Sequence, residues 1–270
     1  MKITDPVLRK ELTDILEAGG IEDAALEAQW IAEDIPDAEK AREIARRRAQ
    51  HEPLQYLLGT WEFYGLTLRV GKGVLIPRAD TETLVDAVLS RLPQTPKPEI
   101  ADLCTGSGCI ALALKSQRRD AEIIGIEKSH DAMQYAVINE MQLSLGVQFF
   151  HGDVTDPAVY GLFRGLDAVV SNPPYLTAED MRHLQPEVTY EPETALAGGE
   201  DGLCFYRIIT EKWKGALKTG GLLAYEAGIG QADAVAEILR ANGFTGIEQI
   251  ADLNGIARVI LGFKDEQSIR

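Results

Sequence analysis

The chain carries an Asn-Pro-Pro-Tyr tetrapeptide, Asn172-Pro173-Pro174-Tyr175, directly behind a short apolar run, Asp167-Ala168-Val169-Val170-Ser171. That run has the length and composition of a buried strand, so the tetrapeptide falls at the strand's exit. The Asn172 side-chain oxygen and the Pro173 carbonyl are hydrogen-bond acceptors. The two prolines restrict the backbone and remove competing N–H donors. Two fixed acceptors beside an aromatic ring suit a planar –NH2 group, whether of an amide or of a nucleobase. The acceptors grip its two hydrogens, Tyr175 stacks on its plane, and its nitrogen faces a reaction partner. An amide nitrogen is a poor nucleophile because its lone pair is delocalised. Chemistry there rests on in-line positioning and on acceptors that stabilise positive charge developing on nitrogen, with no metal or strong base. In isolation the tetrapeptide also reads as a rigid turn that packs an aromatic.

A second group of residues lies upstream. Asp102-Leu103-Cys104-Thr105-Gly106-Ser107-Gly108-Cys109-Ile110-Ala111 joins an expected strand to an expected helix. Glycines there permit a tight turn and close approach of backbone to a ligand. The helix N-terminus behind them offers unpaired N–H groups to an anion such as an amino-acid carboxylate. Glu127 lies 21 residues beyond Gly106, at the end of the next expected strand, where a carboxylate can accept both ribose hydroxyls of a nucleoside. Gly106-x-Gly108-x-x-Ala111 also satisfies the loose dinucleotide fingerprint, so on these residues alone NAD and S-adenosylmethionine stay equally open. Two later features separate them. Asp153, in His151-Gly152-Asp153-Val154, ends the third strand and can receive an adenine amino group; Asn172–Tyr175 ends the fourth. An NAD enzyme has no need of the last, and S-adenosylmethionine is the expected cofactor.

The elements that must position these residues are legible in outline. Strands are expected at 99–103, 121–127, 147–151, 167–171, 221–227, 245–251 and 257–263, with helices at 107–118, 129–144, 203–217 and 231–242. This alternation predicts an α/β fold, an open Rossmann-like sheet of seven strands, doubly wound with helices on both faces and ligands outside the carboxyl ends of its strands. Upstream, residues 5–50 read as helical. Val7, Leu8, Leu12, Ile15 and Leu16 recur at helical spacing, as do Leu26, Trp30 and Ile31, and Gly19-Gly20 and Pro36 separate the helices. Residues 61–70 alternate around Tyr64-Gly65 as a hairpin does, and Leu84, Val85, Val88 and Leu89 mark one more helix. The expected division is a helical N-terminal domain over 1–60, a hairpin linker over 61–73 and a catalytic domain over 74–270.

Composition narrows the class. With 270 residues, 45% hydrophobic and 26% charged, the chain is long enough for a sizeable core and ordinary for a globular protein. No apolar run approaches the ~18 residues of a membrane-spanning helix, and the N-terminal stretch lacks an apolar signal region. Three cysteines, an odd number, disfavour a disulfide framework and favour a reducing cytoplasm. The net charge of −15 argues against a long nucleic-acid duplex as partner, since affinity for phosphates needs clustered Lys and Arg. The four histidines show no metal-ligand spacing, and Cys104 and Cys109 read as small loop-filling thiols. Arg46-Arg47-Arg48 reads as a solvated helix face. A monomer is the default, because no long apolar heptad pattern is present.

With these residues in view, the chain resembles the release-factor glutamine methyltransferases, the HemK/PrmC family, over nearly its full length. The resemblance extends beyond Asp102–Ala111 and Asn172–Tyr175 to Pro53-Leu54-Gln55-Tyr56-Leu57-Leu58-Gly59, to Leu75-Ile76-Pro77-Arg78-Ala79-Asp80-Thr81-Glu82, and to the segment from Glu191 to Leu203. It implies a class I methyltransferase sheet, and methyl transfer from S-adenosylmethionine to the side-chain nitrogen (N5) of the Gln in the Gly-Gly-Gln tripeptide of class I release factors. It also implies a small helical N-terminal domain that helps dock the release factor. By position, Cys104, Thr105, Gly106, Ser107, Gly108 and Glu127 would hold the cofactor, together with Asn172. Asp153 and Val154 would flank the adenine, and Asn172, Pro173, Pro174 and Tyr175 would receive the glutamine, with Asn172, Pro173 and Tyr175 the catalytic groups. Glu127 stands where the family more often has Asp, Val154 where an aromatic can stand, and residues 252–258 match only loosely. Two other acceptors fit the same loop, a glutamine in a ribosomal protein and the N6 amino group of adenine in a nucleic acid. A protein that holds S-adenosylmethionine without catalysis is a further reading, which the intact Asn172–Tyr175 loop opposes.

Overall fold

A computed structural model describes residues 5–94 and 96–265 of the protein. Four helices come first: α1 (Pro6–Ala18), α2 (Ala24–Asp34), α3 (Ala38–Arg48) and the single turn α4 (Leu54–Leu58). Their ends are set locally. Asp5 caps α1 by accepting from Val7 N at 2.9 Å, with Pro6 in the first turn, and Asp37 caps α3 by accepting from Lys40 N at 2.9 Å. Leu12 and Leu16 of α1, Ala28 and Ile31 of α2, Ala41, Ile44 and Ala45 of α3, and Leu54 form one apolar cluster. The face of α2 is not the one its large side chains suggest. Leu26 is 45% exposed and Trp30 36%, while Ala24, Ala28 and Ile31 are buried. Trp30 instead meets Trp61 edge-on, with ring centroids 6.0 Å apart.

A hairpin of β1 (Thr60–Phe63) and β2 (Leu66–Arg69) leads through α5 (Glu82–Leu89) into the main sheet. That sheet comprises β3 (Glu99–Leu103), β4 (Glu122–Glu127), β5 (Gln148–His151), β6 (Leu166–Ser171), β7 (Leu217–Glu226), β8 (Phe244–Ala251) and β9 (Ala257–Lys264), in the order β5-β4-β3-β6-β7-β9-β8. The first five are parallel, and β9 runs antiparallel to both β7 and β8. The intervening helices are α6 (Cys109–Gln117), α7 (His130–Leu143), α8 (Pro157–Tyr160), α9 (Cys204–Trp213) and α10 (Ala232–Ala241). Strand β7 begins earlier than residue 221, because Leu217 already pairs with Leu166 before an irregularity in the register.

Period-two alternation along the strands builds two cores. Ile100, Ala168, Val170, Leu222 and Ala224 face α5 and α6. Ala101, Val169, Leu223 and Tyr225 face α9 and α10, where Tyr206, Ile209, Trp213, Val235 and Leu239 are buried. The expected seven-stranded, doubly wound sheet is thus present.

Arg48 corrects the expectation of a solvated basic face. Its side chain is 10% exposed and pairs with Glu27 at 2.7 Å and with Glu187 at 2.9 Å, joining α2 and α3 to a segment between β6 and α9. Burial works against the Arg48 charge, yet the hydrogen bonds it donates to Glu27 and Glu187 keep its pKa above the ordinary value. Arg48→Met leaves two carboxylates facing each other without their cation. Removing one partner of a buried ion pair costs about 3–5 kcal/mol, and the lower end is expected here because Glu187 is 32% exposed. A fall in the urea midpoint relative to wild type measures it; an unchanged midpoint would show that the triad contributes no stability.

Candidate active site

The glycine loop follows β3 and turns through three left-handed residues, Cys104 (φ 59°), Gly106 (φ 58°) and Gly108 (φ 81°). Gly108 also lies against Phe149 so closely that a Cβ would sit 2.7 Å from the ring, so conformation and space both require glycine there. The loop is pinned from two sides. Glu127, at the end of β4, accepts from Gly106 N at 2.9 Å and from Ser129 N at 2.7 Å, one bond to each carboxylate oxygen. Asn139 of α7 donates to Ser107 O at 2.9 Å while accepting from Arg69 N at 2.6 Å, which ties β2 of the hairpin to the loop. Beneath it Asp102 is fully buried and accepts from Thr105 Oγ1 and from Ala111 N. Burial pushes the Asp102 carboxyl up to about 7.

A cavity of about 320 Å³ opens over this loop, within the range of small-ligand sites. Cys104, Thr105, Gly106, Ser107, Glu127, Asp153, Val154, Asn172 and Pro174 all line it. Residues from the ends of four successive parallel strands therefore share one wall. Ser107 Oγ is buried on that wall with no hydrogen-bond partner among the described residues, a polar atom of the kind a ligand satisfies. Each Glu127 oxygen carries one protein bond and retains a further lone pair for a hydroxyl. Asp153 accepts from Thr155 N at 2.9 Å and from Lys128 Nζ at 2.8 Å. Burial opposes its charge, but the hydrogen bonds from Lys128 and Thr155 hold its carboxyl below the ordinary value. A glycine loop with carboxylates after β4 and β5 on one wall has the donors and acceptors that fit a nucleoside carrying an amino-acid tail.

Three expected site residues do not stand on that wall. Gly108 caps α6 behind the cavity wall. Pro173 is buried and, like Tyr175, is not among the residues on that wall. The Tyr175 carbonyl accepts from Gln231 Nε2 at 2.9 Å, and its ring lies against Gly228. Burial raises the Tyr175 hydroxyl to about 12. Its backbone is overlaid by Gly198, where a Cβ would come within 2.7 Å of Tyr175 Cα.

The cavity also takes residues that the spacing of motifs did not assign: Arg78 and Thr81 ahead of α5, Pro192, Thr194 and Ala195 from the segment before α9, and Phe205 of α9. Phe205 supplies an aromatic surface that Val154 does not. Arg78 pairs with the buried Glu191, which also accepts from Ile76 N at 3.0 Å, and Asn172 Nδ2 donates to Thr81 Oγ1 at 3.5 Å. Glu82 accepts from Tyr64 N at 2.7 Å, a tie to the hairpin. In the loosely matched segment, Arg258 is buried, pairs with Asp252 and with Asp80, each at 3.3 Å, and donates to Ala227 O. Among the described residues no cluster of His, Cys, Asp or Glu has metal-ligand geometry, and no helix is long and apolar enough to cross a membrane.

Fold and cavity define an S-adenosylmethionine-dependent methyltransferase. Residues 78–196 match the family model described as methyltransferase small domain. A methyltransferase from Pyrococcus furiosus superposes with a TM-score of 0.58 over 75% of this chain and 91% of that one; at 16% identity the likeness shows the fold alone. Sequence relatives are more specific. The release factor glutamine methyltransferase of Thermodesulfovibrio yellowstonii is 43% identical over 83% of this chain and 81% of its own. That of Geobacter sulfurreducens is 40% identical over 90% of each. The chain belongs to the release factor glutamine methyltransferase family.

Asp102 gives the site a pH signature. An unfolded Asp releases its proton near 4, whereas Asp102 in the folded protein holds it to about 7. Between those values the folded state binds the extra proton, so this residue lowers stability as pH rises from about 4 to about 7 and adds no further change above. Asp102→Asn removes that contribution. Urea unfolding between pH 4.5 and 7 should show the variant gaining on wild type as pH rises; parallel curves would assign Asp102 an ordinary pKa.

Proposed function

We propose that the protein transfers a methyl group from S-adenosylmethionine to the side-chain amide nitrogen of the Gln in the Gly-Gly-Gln tripeptide of class I peptide chain release factors. One observation carries the reading: Asn172 and Pro174 stand on the wall of the same cavity as Glu127 and Asp153. An amide received beside Asn172 thus meets a nucleoside-borne group held by Glu127 and Asp153. Cys104, Thr105, Gly106 and Ser107 hold the amino-acid tail of the cofactor, with Gly108 supporting the turn. Glu127 accepts the ribose hydroxyls, and Asp153 and Val154 flank the adenine. When bound, S-adenosylmethionine supplies an electrophilic methyl on a positively charged sulfur.

The residues of the chain do the rest by position. The Asn172 side-chain oxygen and the Pro173 carbonyl accept the two amide hydrogens, and Pro174 and Tyr175 hold that corner rigid. The amide nitrogen forms its new bond as the methyl's bond to sulfur breaks, and one amide proton leaves to solvent. The two acceptors stabilise the charge that passes through nitrogen; the reaction calls on no metal. The helices before residue 60 are the proposed docking surface for the release factor, with the hairpin of residues 61–73 as linker and residues 74–270 as the catalytic domain. The protein acts in the cytoplasm and as a monomer. A charge of −15 favours a protein substrate over a nucleic acid.

Mass spectrometry of a purified unmethylated release factor, incubated with the protein and S-adenosylmethionine, should show one added methyl on the Gln of Gly-Gly-Gln. Asn172→Ala should lower the rate by about 100-fold or more, the range for loss of one preorganised charge-stabilising group. Methyl incorporation into ribosomal protein or adenine-containing nucleic acid but not the release factor would redirect the assignment. Cofactor binding without transfer to any acceptor would favour a non-catalytic binding protein.

A further inference from the structure

We propose that Thr81 is a positioning residue for the transfer: its hydroxyl, aimed by the Glu226 carboxylate, holds the Asn172 side chain by the amide nitrogen and keeps the carboxamide oxygen free for the acceptor. The inference rests on the function proposed above and extends it to two residues outside the Asn172–Tyr175 loop.

Thr81 ends a short 3-10 turn, Ala79–Thr81, and is 2% exposed on the cavity wall. Asn172 Nδ2 donates to its Oγ1 at 3.5 Å. On the other side the hydroxyl faces Glu226, the last residue of β7, which is 1% exposed and whose Oε2 has no partner among the described residues. A hydroxyl has one proton to give. An ionised carboxylate only accepts, so that proton goes to Glu226, and the remaining lone pairs of Oγ1 can meet only a donor. The Asn172 amide must then turn its –NH2 toward Thr81 and its oxygen away. That is the polarity needed to receive an –NH2 group.

Protonation of Glu226 reverses the chain. A carboxylic acid can donate to Thr81, whose own proton is then free for the Asn172 oxygen. The amide turns over and presents –NH2 to –NH2, donor against donor, and the acceptor loses its grip. The charged groups around Glu226 are Arg258 of β9 and Arg78 and Asp80 of the segment that carries Thr81, and the neutral titratable groups are the hydroxyls of Tyr175 and Tyr206 and the thiol of Cys109. Arg258 and Arg78 favour the carboxylate, and Asp80 opposes it. Both arginines are shared, Arg258 with Asp252 and Asp80 and Arg78 with Glu191. The Tyr206 hydroxyl is committed to the Glu226 backbone carbonyl at 2.9 Å. Burial therefore dominates and pushes the Glu226 carboxyl up to about 7.

The test is steady-state methylation of a release factor by the full-length protein at saturating S-adenosylmethionine, from pH 6 to 9. Wild type, Thr81→Val, Thr81→Ser and Glu226→Gln are compared. The kcat of wild type should rise about tenfold per pH unit below about 7 and level off above, as for one essential ionised group. Thr81→Val keeps the shape and loses the hydroxyl. Its kcat should fall by roughly 10- to 100-fold, the usual reach of a hydrogen bond felt in the transition state. Its cofactor Kd and release-factor KM should stay within about twofold of wild type, and its pH limb should vanish. Thr81→Ser should restore both rate and limb. If Thr81→Val does not fold, Glu226→Gln provides the reading, with a lowered kcat independent of pH. A Thr81→Val kcat within twofold of wild type overturns the inference. So does a loss shared equally by Thr81→Ser, or a pH limb that persists in Glu226→Gln. A wild-type protein that methylates no release factor at any pH overturns the function on which the inference rests, a different result from an active enzyme indifferent to Thr81.

Discussion

Leu103 pairs with Ile126 on one side and with Ser171 on the other, and this double register sets the geometry of the site. The next residues along the three strands, Cys104, Glu127 and Asn172, leave the sheet side by side. Neighbouring strands lie about 4.8 Å apart, so Glu127 and Asn172 stand roughly 10 Å from each other across β3. The parallel run of β4, β3 and β6 keeps all three exits on one edge, and Glu127 pairing with His151 brings Asp153 to the same edge from β5. A slip of one residue in any of these pairings would turn the alternating side chains of that strand from one core to the other. The two apolar faces of the sheet therefore protect the register, and through it the site.

That edge also carries the protein's least comfortable groups. Asp102 and Glu226 are both buried carboxyls, each with one oxygen lacking a partner, and burial raises both to about 7. Isolated buried charge opposes folding, so neither acid is explained by stability. Asp102 instead fixes the glycine loop through Thr105 and Ala111, and Glu226 stands behind Thr81. The apolar packing of Tyr206, Trp213 and Tyr225 on one side and of α5 and α6 on the other offsets that cost.

The strands were legible because they are short apolar runs bounded by turns, and the expected bounds agree with the sheet to within a residue or two except at β7. The glycine loop, Glu127 and Asp153 could be brought to one cavity from the sequence because each sits at or just after the end of a strand, where sequence distance and position in space are locked together. Thr81, Arg78, Pro192 and Ala195 could not be assigned that way. They reach the cavity from segments outside the regular alternation, brought in by pairs such as Arg78 with Glu191 and Arg258 with Asp80 that join residues far apart in the chain. The exposed Leu26 and Trp30 misled for a related reason. Apolar periodicity weighs a large side chain above alanine, whereas α2 approaches its neighbours closely through Ala24 and Ala28. Arg48 was misread because a basic run at a helix end looks solvated until a distant carboxylate, Glu187, is folded onto it.

Glu187 begins a segment that connects the two parts of the molecule. Its carboxylate pairs with Arg48 and accepts from His51, and Tyr190 donates to Gln50 O at 3.3 Å. The next residue, Glu191, turns inward to Arg78 and Ile76 N, and Pro192, Thr194 and Ala195 then form cavity wall. The parallel bridge from Leu176 to Ala197 returns the segment to the strand exit that carries Asn172. A stretch this short, bonded at one end to the N-terminal helices and at the other to the residue that follows Asn172–Tyr175, leaves little slack between them. The stretch of cavity wall formed by Pro192, Thr194 and Ala195 is therefore set by where those helices sit.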